Sequence, residues 1–220
     1  MPKALSADFV CAMEDVLDVY RRPYDPKRPV IAMDEVPKQL VAELRRPIPA
    51  RPGRSRRVDY EYKRNGTANI FILFEPLVGR RQVKVTRRRT KVDWAHLIRE
   101  LVDVHHPEAQ SIVLVMDNLN THTKASLYEA FEPKDAKRIA DKLEIHYTPK
   151  HGSWLNVAEC ELSILSRQCL DRRIAQIQTL RGEVEAWQQQ RDGEARPVDW
   201  QFTVEDARIR LRSLYPSLQC

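Results

Sequence analysis

Ile112-Val113-Leu114-Val115-Met116-Asp117 is a run of five apolar residues that ends abruptly in an aspartate. An earlier run has the same form, since Val30-Ile31-Ala32-Met33 leads directly into Asp34. Apolar runs of this length are typical of strands that are buried on both faces of a sheet. Because ligand-handling groups lie at the carboxyl ends of such strands in open α/β sheets, we expect Asp34 and Asp117 to lie side by side.

A third acidic residue, Glu159, follows in Ser153-Trp154-Leu155-Asn156-Val157-Ala158-Glu159. Three carboxylates around one crevice repel each other unless they are protonated or share cations. Ligation by oxygen alone suits Mg²⁺ or Mn²⁺. Taken singly, each residue has a simpler interpretation as a turn former or part of a helix cap. Taken together, they predict a catalytic site in which Asp34, Asp117 and Glu159 hold two divalent ions for phosphodiester chemistry.

The motifs around these residues resemble the DDE transposase superfamily, specifically the IS630 branch of the IS630/Tc1/mariner group. Met33-Asp34-Glu35 follows the first strand, Asp117-Asn118 opens a stretch that reaches His122, and residues 148–159 resemble the Ser-x-x-Leu-Asn-x-x-Glu signature of the group. The resemblance implies an RNase H-like fold and metal-dependent cleavage and strand transfer of DNA at transposon ends. It also implies insertion at a TA dinucleotide.

The order of predicted elements is consistent with that fold. We expect an α/β protein with a mixed five-stranded sheet flanked by helices, plus extra N- and C-terminal helices. The predicted strands cover residues 30–33, 58–63, 68–78, 112–116 and 145–147, with Asn65-Gly66 as a tight turn and 38–44 as a helical or irregular excursion. The predicted divisions are an N-terminal helix and linker remnant (1–25), a catalytic domain (26–176) and a C-terminal helical extension (177–220).

The third carboxylate of the predicted site has two candidates. In the helix predicted from about Leu155, Glu159 and Glu161 lie on opposite shoulders of one apolar stripe, and periodicity cannot choose between them. The resemblance selects Glu159 and leaves Glu161 as the alternative. Glu35 is not assigned to the metals, because successive residues of a strand point to opposite faces.

The charge pattern favours a polyanionic partner. The chain has 37 Lys and Arg against 31 Asp and Glu, a formal charge of +6. One basic stretch covers Arg45-Arg46 and residues 51–57, and a second runs from Arg80 to Lys91. Either stretch alone could be an ordinary solvated loop. Flanking a predicted nuclease core, they favour contact with double-stranded DNA. The candidate substrate contacts are Asn118, His122, His151, Arg87, Arg88 and Arg89, although Asn118 is equally typical of a turn and isolated histidines are more often structural.

The cysteine and hydropathy patterns bear on the cellular location of the protein. The four cysteines form no Cys-x-x-Cys pair, and histidines and cysteines show no paired spacing for zinc. No secretory signal is present, and no apolar stretch approaches the length of a membrane-spanning helix. The sequence therefore predicts a cytoplasmic protein with free thiols and no membrane partner.

The chain departs from the family pattern at its N-terminus. Members of this group usually carry a helix-turn-helix region that reads the transposon ends, whereas only a short helix around residues 5–20 precedes the predicted core. We therefore expect a homodimer on DNA, with recognition supplied by a separate helix-turn-helix polypeptide. The alternative is a catalytically idle, truncated transposase that acts as a DNA-binding regulator. A weaker option is an RNase H-like nuclease acting on RNA in hybrids.

Overall fold

The computed structural model describes residues 7–55 and 57–216. Its helices and strands are, in chain order, α1 (Ala7–Tyr20), β1 (Val30–Glu43), β2 (Tyr62–Glu75), β3 (Arg80–Thr86), α2 (Lys91–Glu100), β4 (Ile112–Met116), α3 (Lys124–Ala130), α4 (Pro133–Asp141), β5 (Leu143–Tyr147), α5 (Val157–Leu165), α6 (Ile177–Glu194) and α7 (Val204–Arg210). Residues 1–6 of the predicted N-terminal remnant, Arg56 of the first basic stretch and Cys220 lie outside the described residues. None of the helices in the described ranges could cross a membrane by length and hydropathy.

The five strands form one mixed sheet in the order β3-β2-β1-β4-β5. β2 runs antiparallel to β1 and β3, whereas β1, β4 and β5 are parallel to one another. The predicted mixed five-stranded sheet flanked by helices is therefore confirmed. The parallel strands are the short apolar runs of the sequence, because helices cover both of their faces.

The excursion predicted for residues 38–44 is wrong. β1 continues without a break from Val30 to Glu43 and pairs with β2 along most of its length. Pro37 lies inside this strand opposite Asn69. The polar residues beyond Asp34 concealed the strand, since only Leu40 of this second half is buried.

The tight turn predicted at Asn65-Gly66 is also wrong. Both residues lie inside β2, where the pairing with β1 shifts between Gln39 and Val41. Gly66 has a φ of 93°, which suits an irregularity in a strand as well as a turn. β2 therefore pairs with β1 on one side and on the other with the third strand, Arg80–Thr86, which lies inside the second basic stretch.

Two apolar clusters cover the two faces of the sheet. Alternate strand residues such as Ala32, Ile72 and Val115 pack with α1, α5, α6 and α7. The residues between them, such as Met33 and Leu114, pack with α2, α3 and α4. The alternation fixes the face of every polar residue that follows in the same strand.

Helix α6 protects the exposed edge of the sheet. Side chains of α6 bond to the outward-facing backbone of β3: Gln188 accepts from the Val83 N–H (2.8 Å) and Asp192 accepts from the Arg81 N–H (3.1 Å). An unprotected edge strand would be open to pairing with another chain. This part of the predicted C-terminal extension thus covers the free edge of β3.

Candidate active site

Asp34 and Asp117 come together where β1 and β4 stop pairing. The parallel register joins Ala32 to Val115, so each aspartate lies two residues further along its strand. Both continue the alternation of Ala32 and Val115, which places them on the sheet face that packs against α5. The pairing of β1 with β4 therefore brings the two strand ends next to each other.

Asn156 attaches the start of α5 to this point. Its side-chain amide donates to the Met33 carbonyl (2.9 Å), next to Asp34, and its side-chain oxygen accepts from the Ala158 N–H (3.2 Å) as the helix N-cap. Asn156 is only 3% exposed. Since Glu159 is in the first turn of this helix, the cap carries it towards the two aspartates, and the helix dipole favours its negative charge.

Burial and neighbouring carboxylates act together on Asp34. Burial is the main reason that the pKa of Asp34 is raised to about 7. The negative charges of Glu35, Asp117 and Glu159 add to the increase, and a hydrogen bond from the Glu35 backbone N–H (2.8 Å) opposes it. Within the described ranges, neither Asp34 nor Glu159 has an ion pair with a cationic side chain. The arrangement therefore concentrates negative charge that a cation would neutralise.

Glu161, the alternative third carboxylate, lies in a different environment. Its side chain is 4% exposed and forms ion pairs with Arg81 (3.1 Å) and Arg191 (3.2 Å). Arg81 is completely buried and also pairs with Asp192 of α6 (2.9 Å). The ion pairs of Glu161 thus connect α5 to β3 and α6.

Glu35 and His122 form a network that the sequence reasoning did not find. The His122 ring contacts Asp117 through Nδ1 (2.7 Å) and Glu35 through Nε2 (3.2 Å). Burial would lower the pKa of His122, but the contacts with Asp117 and Glu35 raise it to about 9. These three side chains also have ligand atoms within 4.8 Å of one another. Both ring nitrogens are engaged by carboxylates, which favours the protonated form of the ring.

A wide cleft opens beside Asp117. It has a volume of about 850 Å³ and is lined by Asn118, Lys150 and His151, with Asp8 and Ala12 of α1 on another wall. His151 is exposed and has left-handed backbone (φ 68°), an uncommon conformation outside glycine. Two predicted substrate contacts, Asn118 and His151, therefore face open space, whereas His122 is 1% exposed.

The arginines predicted to contact substrate lie between β3 and α2. Arg87, Arg88 and Arg89 are all exposed, and Arg89 reaches Glu35 at 3.4 Å. This contact places Arg89 beside Glu35, which directly follows Asp34 in β1. The first basic stretch lies in the exposed connection between β1 and β2.

The sequence around Asn156 contained a helix-start signal, but the prediction assigned Asn156 no role. An Asn three residues before a Glu is a frequent helix start, in which the Asn caps the helix and the Glu follows in the first turn. No comparable local signal pointed to Glu35, since its contacts come from residues far along the chain.

Residues 29–181 match the family described as DDE superfamily endonuclease, which is well over half of the chain. The chain belongs to this DDE superfamily. The match confirms the membership of the DDE superfamily that the motifs around Asp34, Asp117 and Glu159 predicted. A comparison with curated proteins finds no match.

Solved structures of Mos1 mariner transposase share the fold of this DDE superfamily member. The catalytic domain of Mos1 has a TM-score of 0.59 at 10% identity, over 100% of both chains. The Mos1 paired end complex with Mn has a TM-score of 0.62 at 14% identity, and the strand transfer complex 0.63 at 12%. This chain is covered to 100% and 96%, and spans 66% and 62% of those longer chains. The predicted RNase H-like fold is confirmed.

Proposed function

We propose that this chain is the catalytic domain of a DNA transposase, which cleaves DNA and transfers strands at transposon ends with the help of divalent metal ions. The observation that supports the proposal is the electrostatic environment of Asp34. Burial raises the pKa of this carboxyl, and the negative charges of Glu35, Asp117 and Glu159 raise it further. A metal-free site of this kind is electrostatically unfavourable, which is the expected cost of a site built for cations.

The donor set fits Mg²⁺ or Mn²⁺. Asp34, Asp117 and Glu159 would offer only oxygen ligands, and hard divalent cations prefer such ligands. When bound, two such ions supply Lewis-acid stabilisation of the phosphate and activation of a water or a 3′-hydroxyl group. The chain supplies the fixed positions: β1 and β4 hold the aspartates, and Asn156 holds the start of α5 beside them.

Double-stranded DNA is the proposed substrate. The Mos1 relatives of similar fold are described as paired end and strand transfer complexes, with Mn or Mg in two of them. Here, Arg87, Arg88 and Arg89 are exposed and Arg89 contacts Glu35, whereas Asn118 and His151 line the cleft beside Asp117. Exposed arginines favour phosphate contacts along a duplex. A homodimer on DNA, a separate helix-turn-helix partner and a cytoplasmic location remain parts of the proposal.

The proposal is tested by incubating the chain with a labelled transposon-end duplex and Mg²⁺ or Mn²⁺. Asp117→Asn and Glu159→Gln remove one proposed ligand each, and Glu185→Gln, an exposed carboxylate on α6, is the matched control. We expect metal-dependent nicking and strand transfer by the native chain and the control, and loss of both products in the two ligand variants.

Two other results would redirect the proposal. Binding of the duplex by the native chain without product in either metal would favour the idle regulator, which occupies DNA or pairs with a full-length enzyme. Preferred cleavage of an RNA–DNA hybrid in a competition assay would favour the RNase H-like nuclease instead.

A further inference from the structure

His122 lies between two carboxylates that belong to different strands. Glu35 is on β1 and Asp117 directly follows β4, and the ring contacts them through its two opposite nitrogens at 3.2 and 2.7 Å. We propose that His122 is a positioning residue: it holds the Asp117 carboxylate in the orientation that binds the metal, and Glu35 holds the ring. This inference rests on the proposed function.

Burial argues against direct contact between His122 and DNA. The side chains of His122 and Glu35 are 1% and 2% exposed. The imidazole stacks on the fully buried Trp94 ring, with 6.1 Å between the ring centroids. The Tyr147 hydroxyl donates to the His122 carbonyl (2.9 Å), which fixes the backbone as well. The ring is therefore held from three sides and cannot reach a phosphate in the cleft.

Asp117 needs such a partner because of where it lies. Its side chain is 39% exposed, at the end of β4 and on the wall of the cleft. The second torsion of an aspartate side chain is only loosely restrained by its own covalent structure. In the described part of the chain, His122 is the one side chain that hydrogen-bonds to Asp117. Removing an outer partner of a metal-binding carboxylate typically costs about 10- to 100-fold in metal affinity or activity.

Glu35 completes the arrangement on the other face of the sheet. Asp34 and Glu35 are neighbours in β1, so Asp34 points towards α5 and Glu35 towards α2. Arg89 also contacts Glu35, at 3.4 Å. The sheet thus places one carboxylate of β1 in the predicted metal site and the next one behind it, as support for Asp117 through His122.

The chain contains a second histidine bridge that serves as a matched control. His146 contacts Asp15 through Nδ1 (2.7 Å) and Glu144 through Nε2 (3.1 Å), so the distances nearly repeat those of His122. This bridge joins α1 to β5 and contains none of the proposed metal ligands. Substitutions at His146 therefore report what the loss of such a bridge does to stability alone.

The experiment separates the two ring nitrogens of His122. The side-chain amide of asparagine lies near the position of Nδ1, and that of glutamine lies near Nε2, so His122→Asn retains the bond to Asp117 and His122→Gln retains the contact with Glu35. Mn²⁺ affinity is measured by electron paramagnetic resonance on native protein, both variants, the same pair at His146, and Asp117→Asn. Melting temperatures are recorded for all of them.

We expect His122→Gln to weaken Mn²⁺ binding by ~10-fold or more and His122→Asn by only a few-fold. Both His146 variants should bind Mn²⁺ like the native chain. In the Asp117→Asn background, His122→Gln should cause no further loss, because it acts through Asp117.

Three results would overturn the inference. Equal Mn²⁺ affinity in the native chain and His122→Gln would exclude a positioning role, while a large loss on Asp117→Asn in the same series would leave the proposed function intact. A directly coordinated nitrogen in the spin-echo spectrum of bound Mn²⁺, lost in both His122 variants, would make the imidazole a ligand instead. No Mn²⁺ binding by the native chain would remove the proposed function and this inference with it.

Discussion

Glu159 and Glu161 are two residues apart in the same helix, yet their environments are opposite. Glu159 is exposed in the first turn of α5, and its charge adds to the repulsion that raises the pKa of Asp34. Glu161 is buried on another side of the helix between Arg81 and Arg191. Among the described residues, no cationic side chain pairs with Glu159, whereas two pair with Glu161.

The difference teaches how a single short helix can serve chemistry and structure at once. A step of two residues turns the side chain by about 200° around an α-helix, since each residue advances 100°. One side of α5 therefore faces the aspartates, while the other faces β3 and α6. In α5, the carboxylate proposed to bind a metal is left without an arginine partner among the described residues, whereas the carboxylate that joins the elements has two.

The largest expected effect is on catalysis. Glu159→Gln should lower the rate of strand transfer by ~10³-fold or more, equivalent to ~4 kcal/mol, because it removes a metal ligand. Glu161→Gln should lower the rate by less than ~10-fold when it is assayed well below its melting temperature. Single-turnover rates with Mg²⁺ and Mn²⁺ measure both. Similar rate losses in the two variants would break the distinction between the carboxylates.

The two variants should rank in the opposite order for loss of stability. Glu161→Gln leaves the buried Arg81 and the partly buried Arg191 without their shared carboxylate and should reduce the free energy of unfolding by about 3–5 kcal/mol. Glu159→Gln should change it by less than ~0.5 kcal/mol, since its side chain is at the surface. Urea denaturation followed by circular dichroism provides the comparison. If Glu161→Gln were as stable as the native chain, the ion pairs with Arg81 and Arg191 would not matter in solution.

Asp34 allows a test of how much a charged carboxylate in the site destabilises the metal-free protein. Its raised pKa means that the folded, metal-free protein holds a proton on Asp34 that the unfolded chain releases above its ordinary pKa of 3.8. The stability cost therefore grows as the pH rises from about 4 to about 7 and is complete above that range.

Asp34→Asn should consequently stabilise the metal-free chain by about 1–3 kcal/mol at pH 8 and by less at pH 5, although it removes a proposed ligand. Denaturation in the presence of EDTA at the two pH values measures the difference. A variant that is less stable than the native chain at pH 8 would show that the buried, charged Asp34 carboxylate does not destabilise the folded protein.

The smallest effect is expected at the outer partner of Glu161. Arg191 is 12% exposed, whereas Arg81 is fully buried. Arg191→Gln should therefore cost about 1 kcal/mol of unfolding free energy, because Glu161 keeps its ion pair with Arg81. The same denaturation assay applies, with the exposed Arg210→Gln on α7 as the control. A loss as large as that of Glu161→Gln would mean that Arg191 carries the interaction.

Local patterns predicted much of this structure. The apolar runs before Asp34 and Asp117 gave the parallel strands, because a strand buried on both faces has to be apolar throughout. The prediction failed at 38–44 and at Asn65-Gly66, where the polar half of β1 pairs with β2. There, backbone pairing between distant segments outweighed the local turn signal. A short window of neighbouring residues contains no information about such pairing.

The sequence by itself determined the strand ends that carry Asp34 and Asp117, the family motifs and the basic charge of the chain. Only the tertiary structure decided which glutamate of α5 is free of arginine partners, and that His122 lies behind Asp117 rather than in the cleft. The physical reason is distance along the chain: helix and strand periodicity fix which residues share a face, but the charge and burial that each side chain meets come from elements folded against it.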